Sequence, residues 1–301
     1  MRAIITGGTG LIGRRLAREL LAAGHEVVIL SRNPEQQARH IPPGARAVRW
    51  DARTPDGWAD LIDADTAIIN LAGQNPANWR WTTTHKRRVL ESRLLAGEAV
   101  AAAIRAAAVK PRALLQASAV GYYGDRGDEI LTEASPPNRA LDFRADVTQV
   151  WERVTGNVGV RQPILRIGIV ISLESGALPA FRAAGWLFGA QLGSGRQYIP
   201  WIHNDDVAGA IHALLLDEAA DGPYNLCVPE PATNREFMAA VGRVLRRPAL
   251  IPVPAFALRI ALGEQAATVL DSQRVIPERL IAQGYLFRFP DLDAALRDLL
   301  R

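Results

Sequence analysis

The sequence predicts an α/β fold, in which a doubly wound parallel sheet is joined to a smaller, mostly helical C-terminal lobe. Two observations support this prediction. A short apolar run at residues 3–5 turns directly into glycines and then into a helical pattern. Apolar strand patterns alternate with helical ones as far as residue 171, and helical patterns broken by prolines follow residue 233. That order is typical of a sheet with helices on both faces, followed by a helical segment.

The composition is that of a folded protein. The 301 residues are 49% hydrophobic and 22% charged, carry a net charge of +4 and include a single cysteine, Cys227. These values exclude a disordered chain, and a lone cysteine excludes an internal disulfide. We find no signal peptide and no apolar run of membrane-spanning length, so we expect a cytoplasmic protein with no membrane partner. The absence of a dense basic run argues against nucleic acid as a partner.

The first predicted elements are a strand, a glycine turn and a helix. The apolar residues 3–5 are followed from Thr6 to Gly13 by Thr-Gly-Gly-Thr-Gly-Leu-Ile-Gly, and then by an apolar pattern at helical spacing. This order predicts a dinucleotide site, because the free N–H groups of a helix N-terminus attract a pyrophosphate. We expect Gly8 and Gly10 to let backbone amides approach the pyrophosphate, and Gly13 to let the helix and strand pack closely.

The second predicted strand, residues 26–30, indicates which dinucleotide binds. In NAD-binding sheets of this kind, an acidic residue about 20 positions beyond the glycines holds the ribose 2′-hydroxyl. Ser31 and Arg32 take that place here. A hydroxyl and a guanidinium suit a 2′-phosphate, so we predict NADP(H) and disfavour NAD(H). The alternative is that Arg32 only caps a surface turn.

Further strands and helices complete the prediction. Strands are expected at 45–50, 66–71, 113–118, 164–171 and 222–226, helices at 83–108 and 141–155, a loop at 185–200, and two or three helices after 233. Asp51 follows the third strand, where an adenine ring would lie. We predict an NADP(H)-binding Rossmann domain at 1–160. Residues 161–301 would then hold the remaining sheet elements, interleaved with the substrate lobe.

Several segments resemble the extended short-chain dehydrogenase/reductases. They are residues 6–13, Asn-Leu-Ala-Gly at 70–73, Ser118, and Trp-Ile-His-Asn-Asp-Asp-Val at 201–207. More narrowly, the chain is similar to atypical, YfcH-like epimerase-family proteins through residues 70–73 with 81–82, through 118–129, and through 224–237. The resemblance implies a Rossmann fold and a nicotinamide cofactor. Together with the residue-level arguments, it predicts cofactor contacts from Gly7, Gly8, Thr9, Gly10, Leu11, Ile12, Gly13, Ser31, Arg32, Asp51, Asn70, Leu71, Ala72, Gly73 and Arg166.

The chain departs from the wider family at its general acid/base. Those enzymes carry Tyr-x-x-x-Lys, and no tyrosine here has a lysine four residues later. The helix that should carry the pair holds Phe143 and Val147 in the two places. The resemblance therefore implies cofactor binding but leaves the reaction open.

Three hydroxyls are the predicted catalytic groups. Ser118 ends the fifth strand at the carboxyl edge, where it could orient a substrate carbonyl or simply cap the strand. Tyr122 or Tyr123 could exchange the proton, but a phenol has a pKa of about 10 and needs a neighbouring cation. Arg126, by its spacing to Tyr122, or Arg166 would supply the charge. The alternative is that both tyrosines only pack the loop.

The remaining polar and aromatic candidates are a histidine beside two aspartates and a scattered set of tryptophans and arginines. We assign His203 and the two aspartates after it to a helix start capped by Asn204 or Asp205, and predict no metal. A pocket for a flat or anionic small molecule could be lined by Trp79, Arg80, Trp81, Trp186, Arg196 and Trp201, although for any single one of them packing between lobes is the better explanation.

Taken together, the sequence predicts an NADP(H)-dependent oxidoreductase or epimerase-like enzyme acting on a carbonyl or alcohol of a small molecule. The alternative is a non-catalytic NADP(H)-binding regulatory or sensor protein, which would have no need of the Tyr/Lys pair. The substrate and the oligomeric state are not predicted.

Overall fold

The computed structural model describes residues 1–76, 81–138, 142–174, 191–246 and 252–300. Its centre is a seven-stranded parallel sheet made, in chain order, of β1 (Arg2–Thr6), β2 (Glu26–Ser31), β3 (Arg46–Arg49), β4 (Thr66–Asn70), β5 (Ala113–Ala119), β7 (Pro163–Ile167) and β11 (Gly222–Leu226). The strands lie side by side in the order β11, β7, β5, β4, β1, β2, β3. The chain therefore reverses direction across the sheet between β1 and β4, and ligands bind at the carboxyl ends of strands beside such a point.

Six short strands pair outside this sheet. They are β6 (Ile130–Leu131) with β13 (Arg274–Val275), β8 (Ile169–Ile171) with β10 (Trp201–His203), and β9 (Tyr198–Ile199) with β12 (Ala232–Thr233). Two of the pairs are parallel, and β9 with β12 is antiparallel. The pairing of β9 corrects part of the predicted loop at 185–200, of which residues 185–190 lie outside the described residues.

Helices cover both faces of the sheet. They are α1 (Leu11–Ala22), α2 (Thr83–Ala106), α3 (Phe143–Arg153), α4 (Asn204–Leu216), α5 (Asn234–Leu245), α6 (Ala255–Leu262), α7 (Ala267–Leu270), α8 (Glu278–Ala282) and α9 (Leu292–Leu300). Successive strand residues point to opposite faces, so Ile5 packs with Leu16 of α1 and Ile211 of α4, whereas Ile4 packs with Val100 of α2. The apolar strands are buried on both sides, as a parallel sheet requires.

The C-terminal lobe has an apolar core of its own. Phe237 and Val241 of α5 pack there with Leu296 of α9 and with Trp201. The side chain of Asp206 in α4 joins this lobe to the sheet, because its two oxygens accept the backbone N–H groups of Arg288 at 2.6 Å and Phe289 at 2.9 Å. The predicted domain boundary at residue 160 stays a prediction; the sheet continues past it through β7 and β11.

One predicted strand is wrong. The run at 164–171 breaks at Gly168 into β7, which joins the main sheet, and β8, which pairs with β10. A Cβ on Gly168 would lie 2.3 Å from the carbonyl oxygen of Pro200, so the chain can change sheets only at a glycine. Within the described ranges, every helix is too short or too polar to cross a lipid bilayer.

Candidate functional site

The start of α1 is open to an anion. Gly10 precedes the helix in an extended conformation, no side chain caps the helix, and no acidic residue occupies its first turn. The free N–H groups and the positive end of the helix dipole are therefore available to a phosphate.

The glycines of the turn have separate tasks. A Cβ on Gly13 would lie 2.5 Å from the carbonyl oxygen of Gly7, so this residue lets helix and strand pack closely, as predicted. Gly7 has φ of +66°, a conformation that favours glycine, and a Cβ there would lie 2.7 Å from the carbonyl oxygen of Leu71. A Cβ on Gly8 would meet Ile29 of β2 at 2.7 Å, so its missing side chain also makes room for the sheet, and its approach to the pyrophosphate stays a prediction. The turn therefore packs closely against β2 and against the end of β4, as a dinucleotide-binding turn does.

A buried polar ladder fixes the carboxyl ends of β1, β4 and β5. Thr6 donates its hydroxyl to the Asn70 amide oxygen at 2.6 Å, and the Asn70 amide nitrogen donates to Gln116 at 2.9 Å. The Thr6 oxygen also accepts the N–H of Ala72 at 3.1 Å. Because both ends of the Asn70 amide are occupied, its side chain holds the sheet edge. A cofactor contact from this segment falls to the backbone from Leu71 to Gly73.

The end of β2 leaves one cation free. Ser31 is buried, whereas Arg32 is exposed and has no hydrogen bond or ion pair to the described parts of the chain. Asp51 is occupied: its carboxylate accepts the N–H groups of Thr54 and Arg53 at 2.9 and 2.7 Å, which lowers its pKa and holds the loop after β3. Arg32 is therefore the side chain here that is free to meet a 2′-phosphate.

A cavity of about 260 Å³ lies at the carboxyl ends of β5 and β7. Its walls come from α2, α3, the turn after β5, the β7–β8 link and, from the C-terminal segment, Thr268 and Gln273. Phe143 and Val147 lie one turn apart on α3 and both line it, with Trp81 edge-on to Phe143 at 5.4 Å between ring centres. The two residues that stand for the missing Tyr/Lys pair thus make this wall apolar.

Ser118 does not line the cavity, but its neighbour Ala119 does, because alternate strand residues face opposite sides. The Ser118 hydroxyl donates instead to Glu152 of α3 at 2.7 Å. Glu152 also accepts from Arg166 Nε at 2.8 Å and Nη2 at 3.1 Å. Sequence reasoning missed Glu152; the signal was Arg166 in a buried strand, where a cation needs a carboxylate. Arg166 is held inside the protein, so the geometry does not favour it as a cofactor contact.

Neither tyrosine lines the cavity. The buried Tyr123 hydroxyl accepts from Arg166 Nη1 at 2.9 Å and lies 2.8 Å from the Asn225 amide oxygen. Burial outweighs the nearby guanidinium and raises the Tyr123 pKa to about 12, so the expected lowering by a cation does not occur. The Tyr122 ring lies against Arg166, 3.6 Å from its Cζ. The predicted pairing of Tyr122 with Arg126 is wrong, since Arg126 binds Glu129.

The chain has known relatives. Residues 3–227 match the NAD dependent epimerase/dehydratase family. The chain belongs to this family. Residues 253–299 match a domain of unknown function, DUF1731.

Relatives and solved structures of this family cover nearly the whole chain. The human epimerase family protein SDR39U1 is 36% identical over 309 residues, covering 99% of each chain, and the Bacillus subtilis epimerase family protein YfhF is 35% identical over 306 residues, covering 100% of this chain and 98% of its own. The crystal structure of human SDR39U1 (isoform 2) with NADPH covers 99% of both chains at 36% identity and a TM-score of 0.85. A nucleoside-diphosphate sugar epimerase from Corynebacterium glutamicum matches at 31% identity and a TM-score of 0.78, covering 100% of this chain and 58% of that one.

This epimerase/dehydratase family member caps α4 in an unexpected way. His203, not Asn204 or Asp205, is the N-cap: its Nδ1 accepts the N–H of Asp205 at 3.1 Å. Burial lowers the pKa of His203 and keeps the ring neutral for this purpose. Among the described residues, no cluster of three or more His, Cys, Asp or Glu side chains is suited to a metal ion.

Of the six predicted pocket residues, the structure brings Trp81 to the cavity. Trp201 lies in the lobe core and Arg196 is exposed, whereas Trp79, Arg80 and Trp186 lie outside the described residues. The cavity also contains a side chain that sequence reasoning missed, Arg93 of α2. Its signal was helical spacing, because Val89 and Arg93 share one buried face of α2.

Proposed function

We propose that this epimerase/dehydratase family member is an NADP(H)-dependent oxidoreductase that moves a hydride to or from a carbonyl or alcohol carbon of a small molecule. One observation carries the proposal: the open N-terminus of α1 and the cavity lie along the same carboxyl edge of one parallel sheet. The NADPH present in the crystal structure of human SDR39U1, a 36% identical relative, supports the choice of cofactor, as does the free Arg32.

The residues that would act lie in two places: the start of α1 with the end of β2, which would bind the cofactor, and the cavity, which would hold the reacting carbon. The first N–H groups of α1 would hold the pyrophosphate, and Arg32 would hold the 2′-phosphate. When bound, the nicotinamide supplies or accepts the hydride. Phe143, Val147 and Trp151 would exclude water from the reacting carbon, because all three line the cavity with apolar surface.

The cavity lining provides few side chains that could exchange a proton with the substrate. Over the described residues, its lining includes no carboxylate, histidine or tyrosine, and its two cations are arginines, which do not give up a proton at neutral pH. The Thr148 hydroxyl lies in the wall but donates back to the carbonyl oxygen of Arg144 at 2.8 Å. We propose that the proton is exchanged with water, and that Ser118 and Tyr123 act indirectly by holding the end of β5.

The lack of an acid/base group in the described cavity lining favours a second candidate, a non-catalytic NADP(H)-binding sensor. A protein that only senses the cofactor needs no acid/base in its cavity. The two candidates separate when NADPH absorbance is followed with a panel of aldehydes, ketones and sugars: oxidation of NADPH by any of them supports the enzyme. Tight NADPH binding without turnover across the whole panel supports the sensor.

The cofactor assignment has its own test, a titration of NADPH and NADH by their fluorescence. NADPH should bind at least tenfold more tightly, a difference of about 1.4 kcal/mol, because only its 2′-phosphate meets the guanidinium. Arg32→Ala should remove most of this preference and leave NADH binding unchanged. Arg18→Ala, an exposed arginine on α1, is the matched control. Equal affinities in the unmodified protein would rule out the assignment.

A further inference from the structure

The cavity contains a buried cation with no counter-ion. Arg93 is 7% exposed, and no ion pair joins it to any carboxylate of the described residues. The remaining segments of the chain contain no Asp or Glu, so no side-chain carboxylate there could neutralise it. Burial alone lowers the pKa of Arg93 to about 10, which leaves the guanidinium charged at neutral pH.

Among the described residues, the two other buried or cavity-lining arginines are neutralised. Arg166 forms a two-point pair with Glu152, and Arg144, which lines the same cavity, is bound by Asp142 and Asp271. A buried charge without a partner is costly, so proteins rarely keep one unless a ligand completes it. Arg93 lacks the carboxylate partner that Arg166 and Arg144 have.

The free donors of Arg93 form an edge. Its Nη1 donates to the carbonyl oxygens of Gln74 at 3.1 Å and Val89 at 2.9 Å, which fixes the plane of the guanidinium. Within the described residues, Nε has no hydrogen-bond partner and no protein acceptor meets Nη2. Nη2 is the donor left for an acceptor oxygen in the cavity, and the neighbouring N–H of the buried Nε would complete a two-point pair with a carboxylate that moves against this edge.

A second unpartnered donor lies beside the first. The guanidinium stacks on Trp151, with Cζ 4.4 Å from the ring centre, and Trp151 also lines the cavity while being 7% exposed. The indole Nε1 of Trp151 is buried and has no hydrogen-bond partner in the part of the chain that the structure describes. Two neighbouring donors without acceptors indicate a ligand that supplies acceptor oxygens.

We infer that Arg93 anchors the substrate through a carboxylate, with Trp151 as a supporting donor, so that the cavity takes a small monocarboxylate with an apolar body. This inference rests on the proposed function, since it names the substrate class of the same cavity. One free guanidinium and apolar walls suit a single negative charge better than a phosphate dianion, which usually meets several donors or cations. Gly73 belongs to the same arrangement, because a Cβ there would lie 3.2 Å from Arg93 Cζ and displace the fork.

The test is calorimetric titration of the NADPH-loaded protein with benzoate and hexanoate, each against its neutral amide. The unmodified protein should bind at least one carboxylate ten times more tightly than the matching amide. R93Q should bind that carboxylate at least tenfold more weakly and leave amide binding unchanged. R93K keeps the charge but not the fork and should fall between them, and it serves if R93Q does not fold. Arg88→Gln, an exposed arginine of α2, is the control and should change nothing.

Three outcomes would overturn the inference. The first is that the unmodified protein shows no preference for the carboxylate over its amide. The second is that R93Q or R93K binds the carboxylate as tightly as the unmodified protein does, and the third is that these variants lose NADPH affinity tenfold while keeping the carboxylate preference. The third would assign Arg93 to the cofactor. NADPH binding is measured first on the same samples. If the unmodified protein does not bind NADPH, the proposed function is contradicted. If it binds NADPH but shows no preference for carboxylates, only this inference is contradicted.

Discussion

At the scale of single residues, the buried hydroxyls and charges of this protein serve mainly to hold one another. Tyr123, Arg166, Glu152 and Ser118 form a continuous chain of hydrogen bonds between β5, β7 and α3. A network of this kind is valuable only when every member is satisfied, because each lost partner leaves a buried polar group unpaired. Its members are therefore positioning residues for the cavity wall.

Substitution of the two tyrosines should change the free energy of unfolding by clearly different amounts. Tyr123→Phe removes one acceptor of Arg166 and a partner of Asn225, so the free energy of unfolding should fall by about 1–3 kcal/mol in urea denaturation. Tyr122→Phe should change it by less than about 0.5 kcal/mol, since the described structure gives that hydroxyl no partner. Once a substrate is known, a hundredfold loss of turnover in Tyr122→Phe would restore that phenol as the proton donor.

At the scale of elements, the first strand, turn and helix depend on one close contact. Gly13→Val should abolish NADPH binding and lower the free energy of unfolding, because its Cβ would lie 2.5 Å from the Gly7 carbonyl oxygen. Ala22→Val at the exposed end of α1 controls for the cost of a β-branched residue in a helix. Cofactor titration and denaturation of both variants check this. Normal NADPH binding by Gly13→Val would place the nucleotide elsewhere.

Local patterns predicted the elements, but long-range contacts decided their details. The glycine turn, the strands of the main sheet and the helices α1 to α3 follow from periodicity within a few residues. The break at Gly168 does not, because it depends on Pro200 from a distant segment. The cap at His203 was missed because side-chain preferences favour Asn and Asp at that position. Ser118 was placed at the right strand end, but strand alternation turned it away from the cavity.

At the scale of the whole molecule, Asp206 couples the C-terminal lobe to the sheet. Asp206→Asn leaves one acceptor oxygen where two backbone N–H groups, those of Arg288 and Phe289, now bind. The free energy of unfolding should fall by about 1–3 kcal/mol, and limited proteolysis should begin near residue 288. Asp217→Asn provides the comparison, because this half-buried aspartate lies at the other end of α4 and accepts from Ala219 and Gln283 rather than from residues 288–289. Identical cleavage in the two variants would contradict a coupling role.

The cavity is closed by a segment that lies outside the matched epimerase region. Gln273 lines it and donates to the carbonyl oxygens of Val120 at 3.0 Å and Gly124 at 3.1 Å, and Thr268 completes the same wall. The cofactor turn and the ligand wall thus reside on parts of the chain that can diverge independently. Evolution could retune ligand choice through residues 253–299 while the nucleotide site stays constant. Exchanging this tail between relatives is accordingly a route to a differently shaped cavity on one unchanged nucleotide-binding scaffold.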